Sequence, residues 1–257
     1  MKKLLILMMT VIAAVAMLAA GCGGGDKKET AKVFRVGTEP TFAPFEFQEE
    51  GSKEYAGFDM DLARAIGKQM GYEKVEIVNM GFDALIPALN AGNVDMVAAG
   101  MSITPERQEA VNFSDPYYTS GLIVMVKQNN DSIKSIKDLE GKRIAAQIGT
   151  TGDNKARSVA NAVVTSFNTN TEAAMELTNE GVDAVINDSP VVGYYLAQGG
   201  NKTAKTVGDI MEAAQYGLAM KKGNDQLTAD VNKALAELKK NGEYDKLYQK
   251  WFGEVSK

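Results

Sequence analysis

Two oppositely charged side chains stand where they could hold the two ends of a zwitterion. Arg107 closes the segment Ala99-Gly-Met-Ser-Ile-Thr-Pro-Glu-Arg107. Thr104 suits a helix N-cap there and Pro105 a first helical residue, which puts the arginine at the third helical position. A cation at that point opposes the helix dipole by about 0.3 to 1 kcal/mol. Either an anion sits beside it, or the side chain swings away to a surface carboxylate such as Glu109. Asp188 follows the apolar run Val182 to Ile186 and precedes Ser189-Pro190. Ser189 can cap that helix by itself, leaving Asp188 free to face a cleft, although an acidic residue at a helix start is also explained by local structure alone. A third junction, Gln147-Ile-Gly-Thr-Thr-Gly152, follows the strand Arg143 to Ala146. Its hydroxyls and N–H groups suit polar ligand atoms, and they suit turning and capping as well. It has neither the spacing nor the lysine of a phosphate-binding Walker loop. Aromatic rings gather at Phe42, Phe45 and Phe47, and Phe82 opens the helix before Ile86; core packing and ligand contact both remain open for them.

The chemistry that is missing narrows the choice. The 257 residues contain no histidine and one cysteine, which removes imidazole as base, triad member or metal ligand, and removes Cys-x-x-Cys redox or metal sites and any intramolecular disulfide. No metal site and no cofactor is expected. Apolar residues make up 45% and charged residues 24%, the balance of a folded protein. The net charge of −5 disfavours nucleic acid as a partner. A chain of this length builds one large core or two medium ones.

The elements that must position these residues alternate between short β-rich runs and amphipathic helices, an α/β pattern. Val33 to Gly37 reads as a strand, and Phe58 to Met70 as a helix stopped by Gly71. Asp59 and Asp61 in its first turn suit the helix dipole better than acid-base chemistry. An internal echo follows. Ile86 to Gly92 reads as a helix ending in glycine, then Asn93, Val94 and Asp95, the strand Met96 to Ala99 and the helix start Thr104-Pro105. Ala173 to Gly181 repeats this, followed by Val182 and Asp183, the strand Ala184 to Ile186 and the helix start Ser189-Pro190. Two similarly built lobes are implied. The runs Gly121 to Val126 and Tyr216 to Met220 are the expected strands on which the chain crosses out and back.

At the N-terminus, Lys2 and Lys3 precede an apolar run from Leu4 to Ala20, the pattern of a secretory signal over residues 1–21. Cys22, after Ala19-Ala20-Gly21, resembles the lipobox cysteine of bacterial lipoproteins. That resemblance implies a lipid on Cys22, a flexible glycine-rich tether over residues 22–32 and an extracytoplasmic, membrane-anchored location, either periplasm or outer cell surface.

From Val33 to Gly253 the chain resembles the polar amino-acid-binding proteins of ATP-driven importers, the solute-binding proteins of family 3, and among them the glutamine-binding and basic-amino-acid-binding types. The resemblance rests on Gly37-Thr-Glu-Pro-Thr-Phe-Ala-Pro-Phe-Glu-Phe47, Gly57-Phe-Asp-Met-Asp-Leu62, the Ala99 to Arg107 segment, Phe113-Ser-Asp-Pro-Tyr-Tyr118 and Tyr248-Gln-Lys-Trp-Phe-Gly253. It implies a two-lobed periplasmic-binding-protein fold of type II with two hinge strands. Lobe 1 would comprise residues 33–119 plus 216–257, and lobe 2 residues 120–215. The implied function is binding without catalysis: a monomer that takes a free amino acid between its lobes and delivers it to a membrane permease. A dehydratase on the same fold is the enzyme alternative.

Carried over position by position, the resemblance implies that Arg107 clamps the ligand carboxylate with help from Gly100, Ser102 and Thr151. Asp188 takes the ammonium, Phe42 and Phe82 sandwich the side-chain stem, and Glu39 and Gln147 reach the far end. With those roles, Arg107 and Asp188 cancel the ligand's backbone charges, and Glu39 remains as one unbalanced buried anion. A cationic side chain supplies the missing charge, so arginine or lysine is expected, arginine first because its guanidinium forks onto a carboxylate and stacks on a ring. Glutamine is the alternative.

Overall fold

The structure, a computed structural model, describes residues 32–49 and 51–253. The signal segment, Cys22 and the tether through residue 31 lie outside the described residues. In chain order the first half contains β1 (Val33–Thr38), β2 (Thr41–Phe42), β3 (Glu46–Gln48), β4 (Tyr55–Ala56), α1 (Phe58–Gln69), β5 (Lys74–Asn79), α2 (Leu85–Ala91), β6 (Met96–Val97), α3 (Pro105–Ala110) and β7 (Val111–Phe113). Then follow β8 (Tyr118–Lys127), β9 (Arg143–Gln147), α4 (Thr151–Arg157), β10 (Val163–Phe167), α5 (Asn170–Thr178), β11 (Ala184–Asp188), α6 (Ser189–Ala197) and β12 (Ala204–Tyr216). The chain ends with β13 (Ala219–Lys221), α7 (Asp225–Lys240) and α8 (Glu243–Phe252).

Two five-stranded sheets share one plan. The first has the order β5-β1-β6-β13-β7, the second β10-β9-β11-β8-β12. In each, three parallel strands joined by helical crossovers are followed by an antiparallel strand. A small sheet, β2-β3-β4, packs beside the first. The echo seen in the sequence is therefore a repeat of topology, and it carries a latch that sequence reading missed. Arg35 opens the first sheet and forks onto Asp95, its backbone N–H donating to Oδ2 at 2.8 Å and Nη2 to Oδ1 at 2.8 Å. Arg143 does the same with Asp183, at 2.9 and 2.7 Å. In both, the aspartate N–H returns a bond to the arginine carbonyl. Each fork ties a crossover to the strand beside it.

The inner parallel strands β1, β6, β9 and β11 are largely buried and carry short apolar runs such as Ala184-Val-Ile186, whereas the edge strands β5 and β10 are half-exposed and mix polar with apolar residues. One core lies under α1, α7 and α8 and includes Phe34, Phe45, Phe58, Ile66, Tyr216 and Leu235. Helix α7 earns its place there with Val231, Ala234, Leu235 and Leu238 on one face. The second sheet has separate cores on its two faces, centred on Ile144 and Ile186 and on Ala145 and Val185.

Three expectations need correction. The return crossing is β12, which runs alongside β8 from Ala204↔Lys127 to Tyr216↔Tyr118; Tyr216 to Met220 only ends it and leads into β13. Strand β12 is a mostly exposed edge with Asp209, Glu212 and Gly208, so it has little apolar signal to read. The helix expected to end at Gly181 ends at Thr178 with Asn179 as its C-cap, and Glu180 takes the left-handed conformation at φ 64°. A Cβ at Gly181 would meet only the flexible end of the Glu176 side chain, which can move aside, so packing does not demand glycine there. Asp59, read as a dipole residue, is fully buried beneath the cleft, whereas Asp61 is the surface carboxylate, paired with Lys250 at 2.7 Å.

Candidate functional site

Where the C-terminal ends of the two sheets face each other, a small cavity is lined by Glu39, Phe42, Phe82, Gly100, Ser102 and Arg107 on one wall and by Gln147, Thr151 and Asp188 on the other. These are the nine residues singled out from the sequence. They converge because each lies at or near a strand end, a helix start or in the segment joining the two, and open α/β sheets gather such junctions at one crevice.

Arg107 stands at the third position of α3, whose cap is Thr104: its hydroxyl accepts the Arg107 N–H at 3.2 Å. The guanidinium does not turn outward to Glu109. Nη1 donates to the Ser102 carbonyl at 2.9 Å, Nη2 to the Gly149 carbonyl on the opposite wall at 3.0 Å, and the carbon between them lies 5.2 Å from the centre of the Phe82 ring. Burial lowers the arginine's pKa from its ordinary value, and the nearby Asp188 opposes that shift. Ser102 is held in turn by the hinge, since it bridges to Tyr216.

Asp188 occupies the N-cap position of α6, yet its side chain makes no capping bond. No capping bond from Ser189 is found either. The carboxylate instead accepts the Tyr216 hydroxyl at 2.6 Å and the Ser120 hydroxyl at 3.0 Å, both from the crossing strands. Burial raises its pKa, while those two hydroxyls and Arg107 pull it down. At the far end, Glu39 Oε2 accepts the Thr41 hydroxyl at 2.7 Å and the Gln147 amide at 2.9 Å. The Gln147 carbonyl oxygen accepts from Asn170 at 2.6 Å. Burial raises the Glu39 pKa as well, partly offset by Thr41 and Gln147.

Thr150 rather than Thr151 caps α4, its hydroxyl accepting the Asp153 N–H at 3.1 Å, so the Thr151 side chain is left for the cavity. Gly100 has φ 51°, and a Cβ there would lie 2.5 Å from the Phe42 ring. Its N–H is taken by Asp59 Oδ2 at 2.8 Å, so what Gly100 gives the cavity is the missing side chain and the close approach of Phe42.

The arrangement has three cavity-lining carboxyls and one guanidinium, with polar hydroxyls at the carboxyls and rings on the sides. Residues 34–254 match the bacterial extracellular solute-binding proteins, family 3. The chain belongs to that family. Its two lobes are those of the periplasmic amino-acid-binding proteins, and its place is outside the cytoplasm. Among family 3 relatives, a probable histidine-binding protein from Campylobacter jejuni is 35% identical over 228 residues, covering 88% of this chain and 87% of its own. ABC transporter arginine-binding protein 1 of Escherichia coli is 36% identical over 226 residues, covering 86% and 91%. An ancestral arginine-binding protein bound to arginine superposes with TM-score 0.83 at 47% identity, covering 86% of this chain and 99% of that one. A form bound to glutamine superposes at 0.81, again 47% identical, covering 87% and 99%. An ancestral amino-acid-binding precursor of cyclohexadienyl dehydratase has TM-score 0.79 at 42% identity, covering 86% and 96%.

Three lining residues of this solute-binding protein lie outside those nine. Glu46 completes the cavity with Ala99 and Thr150. It lies opposite Phe42 in the β2-β3 ladder, which gives the two side chains one face. The alternation Phe45-Glu46-Phe47 was the available signal, but the hairpin register that turns Glu46 inward is not readable from it. A larger apolar groove, about 400 Å³, lies behind Thr41 and Asn170 and is lined by residues such as Met125, Met175, Val185 and Tyr195. Thr41 and Asn170 bond to Glu39 and Gln147, which separate the groove from the charged cavity.

Proposed function

We propose that the charged cavity binds a basic amino acid, arginine before lysine, and that the protein hands it to the permease of an ABC importer. The observation carrying this reading is the charge count. Glu39, Glu46 and Asp188 line the cavity against Arg107 alone, and among the described residues no lysine or arginine lies within 4.0 Å of any of the three. In this arrangement Arg107 takes the α-carboxylate with Ser102, Gly100 and Thr151 around it, and Asp188 takes the α-ammonium. The stem lies between Phe42 and Phe82, and the guanidinium reaches Glu39 beside Gln147. The arginine-binding names and the arginine-bound ancestral structure support this choice, and the glutamine-bound form supports glutamine as the second candidate.

The protein acts by binding and closure: residues 33–119 with 216–257 form one lobe and residues 120–215 the other, and they close about β8 and β12. The division of the sheets supports that boundary. Binding without turnover is supported by the family, and Cys22 carries the lipid that anchors the monomer to the membrane. Competition calorimetry on the purified chain tests the ligand: arginine binds more tightly than lysine, and lysine more tightly than glutamine. Tighter binding of glutamine than of both overturns the charge count. Incubation with prephenate leaves it unchanged, and mass spectrometry of the membrane form finds the acylated N-terminal Cys22.

A further inference from the structure

In the cavity wall and directly beneath it lie two carboxyls to which the ligand scheme assigns no contact. Glu46, 1% exposed, lines the cavity, and Asp59, 0% exposed, lies below it. Glu46 Oε2 and Asp59 Oδ1 are each buried without a hydrogen-bond partner. Asp59 Oδ2 accepts the Gly100 N–H at 2.8 Å and the Tyr117 hydroxyl at 2.6 Å. Among the described residues no lysine or arginine lies within 4.0 Å of either carboxyl, and a buried carboxylate without a cation or donor is costly, so the two together hold a proton. The two donors on Asp59 favour its charged form, which leaves the proton on Glu46. Burial and the neighbouring carboxylates push Glu46 well above the usual carboxylate range, and burial pushes Asp59 to about 6. The remaining charged or titratable groups around the pair are Glu39, Asp188 and Arg107 across the cavity, and Tyr117, Tyr216 and Tyr244 below it.

We propose that Glu46 is a specificity-determining residue: the proton it holds above Asp59 is released when a ligand with a cationic side chain enters, and is retained when the side chain is neutral. This rests on the ligand reading above. The Glu46 O–H bond breaks, its electron pair stays on the carboxylate and the proton passes to the buffer. A neutral ligand gives the new anion nothing to face and must keep the pair protonated. Arginine is therefore selected over glutamine by a factor that grows with pH, about tenfold for each unit by which the cation lowers the pair's pKa.

Isothermal titration calorimetry from pH 5 to 9, in buffers of different ionisation enthalpy, reads both the affinity ratio and the protons released. The expected result is proton release with arginine and none with glutamine, and a rising arginine-to-glutamine ratio. In Glu46→Gln, which keeps the size of the side chain and cannot release a proton, the ratio becomes flat. If the ratio keeps its slope in Glu46→Gln, the proton belongs to Glu39 or Asp188 and the proposal falls. Should that variant fail to fold, carboxyl-carbon NMR of the wild type decides instead: a glutamate titrating above the normal range must shift with arginine and stay in place with glutamine. Equal proton release with both ligands overturns the proposal while leaving the ligand reading intact. Failure of both amino acids to bind overturns the ligand reading and the linkage with it.

Discussion

Arg107 and Asp188 carry opposite charges on opposite walls of one cavity, and each is already held in place by groups other than a ligand. Removing either leaves one end of a zwitterion buried without a partner, a loss on the order of 3 to 5 kcal/mol. Calorimetry on Arg107→Ala and Asp188→Ala is expected to show amino-acid binding abolished or weakened by at least a hundredfold, with circular dichroism unchanged. Asp59 gives a prediction about pH. Its pKa rises from 3.8 to about 6 in the folded state, so the folded protein binds the extra proton and loses stability as pH rises through that window. Asp59→Asn does not titrate there. Relative to wild type it gains on the order of 3 kcal/mol between pH 4 and pH 7, read by chemical denaturation at each pH. The nine cavity residues were legible because each sits at a strand-helix junction or carries the family motif. Asp59 and Glu46 were not, because whether an acidic side chain is buried depends on packing across β3, α1 and the segment at Gly100, which no local spacing encodes.

Among the elements, the stretch from Ala99 to Arg107 serves two neighbours at once: it bridges to the hinge at Tyr216 and presents Gly100 under the Phe42 ring. Gly100→Ala forces a left-handed non-glycine residue at φ 51° and presses a methyl group into Phe42. The expected cost is about 1 to 3 kcal/mol of stability, together with weakened ligand binding, measured by denaturant melts and calorimetry. Helices were legible where a cap and a periodic face coincide, as in Thr104-Pro105 and in α1, which ends at Gln69 with Gly71 left-handed just beyond. They were less legible where a non-glycine residue takes the left-handed position after the helix, as at Glu180. The exposed β12 was invisible for the opposite reason, since an edge strand held by its ladder to β8 needs no apolar stripe.

For the molecule as a whole, Glu39 to Gln147 and Arg107 to Gly149 are the hydrogen bonds that span the cavity, and β8 with β12 are the paired strands that connect its walls. A ligand gripped from both walls favours the closed arrangement, so small-angle scattering with saturating arginine is expected to show a smaller radius of gyration than without it. An unchanged radius rejects hinge closure. The two-lobed plan was legible in the Gly-Val-Asp echo, and its finer meaning, the matching Arg35 and Arg143 forks, needed the strands to be seen side by side. The place of β13 concerns time. It lies between β6 and β7 inside the first sheet, although it is made after every strand of the second. A chain emerging from the N-terminus can finish the second sheet, from β8 to β12, while the first still has a gap at its centre. The wall bearing Arg107 is therefore completed last, and truncation before Ala219 removes the strand that joins β7 and Phe113 to the rest of that sheet.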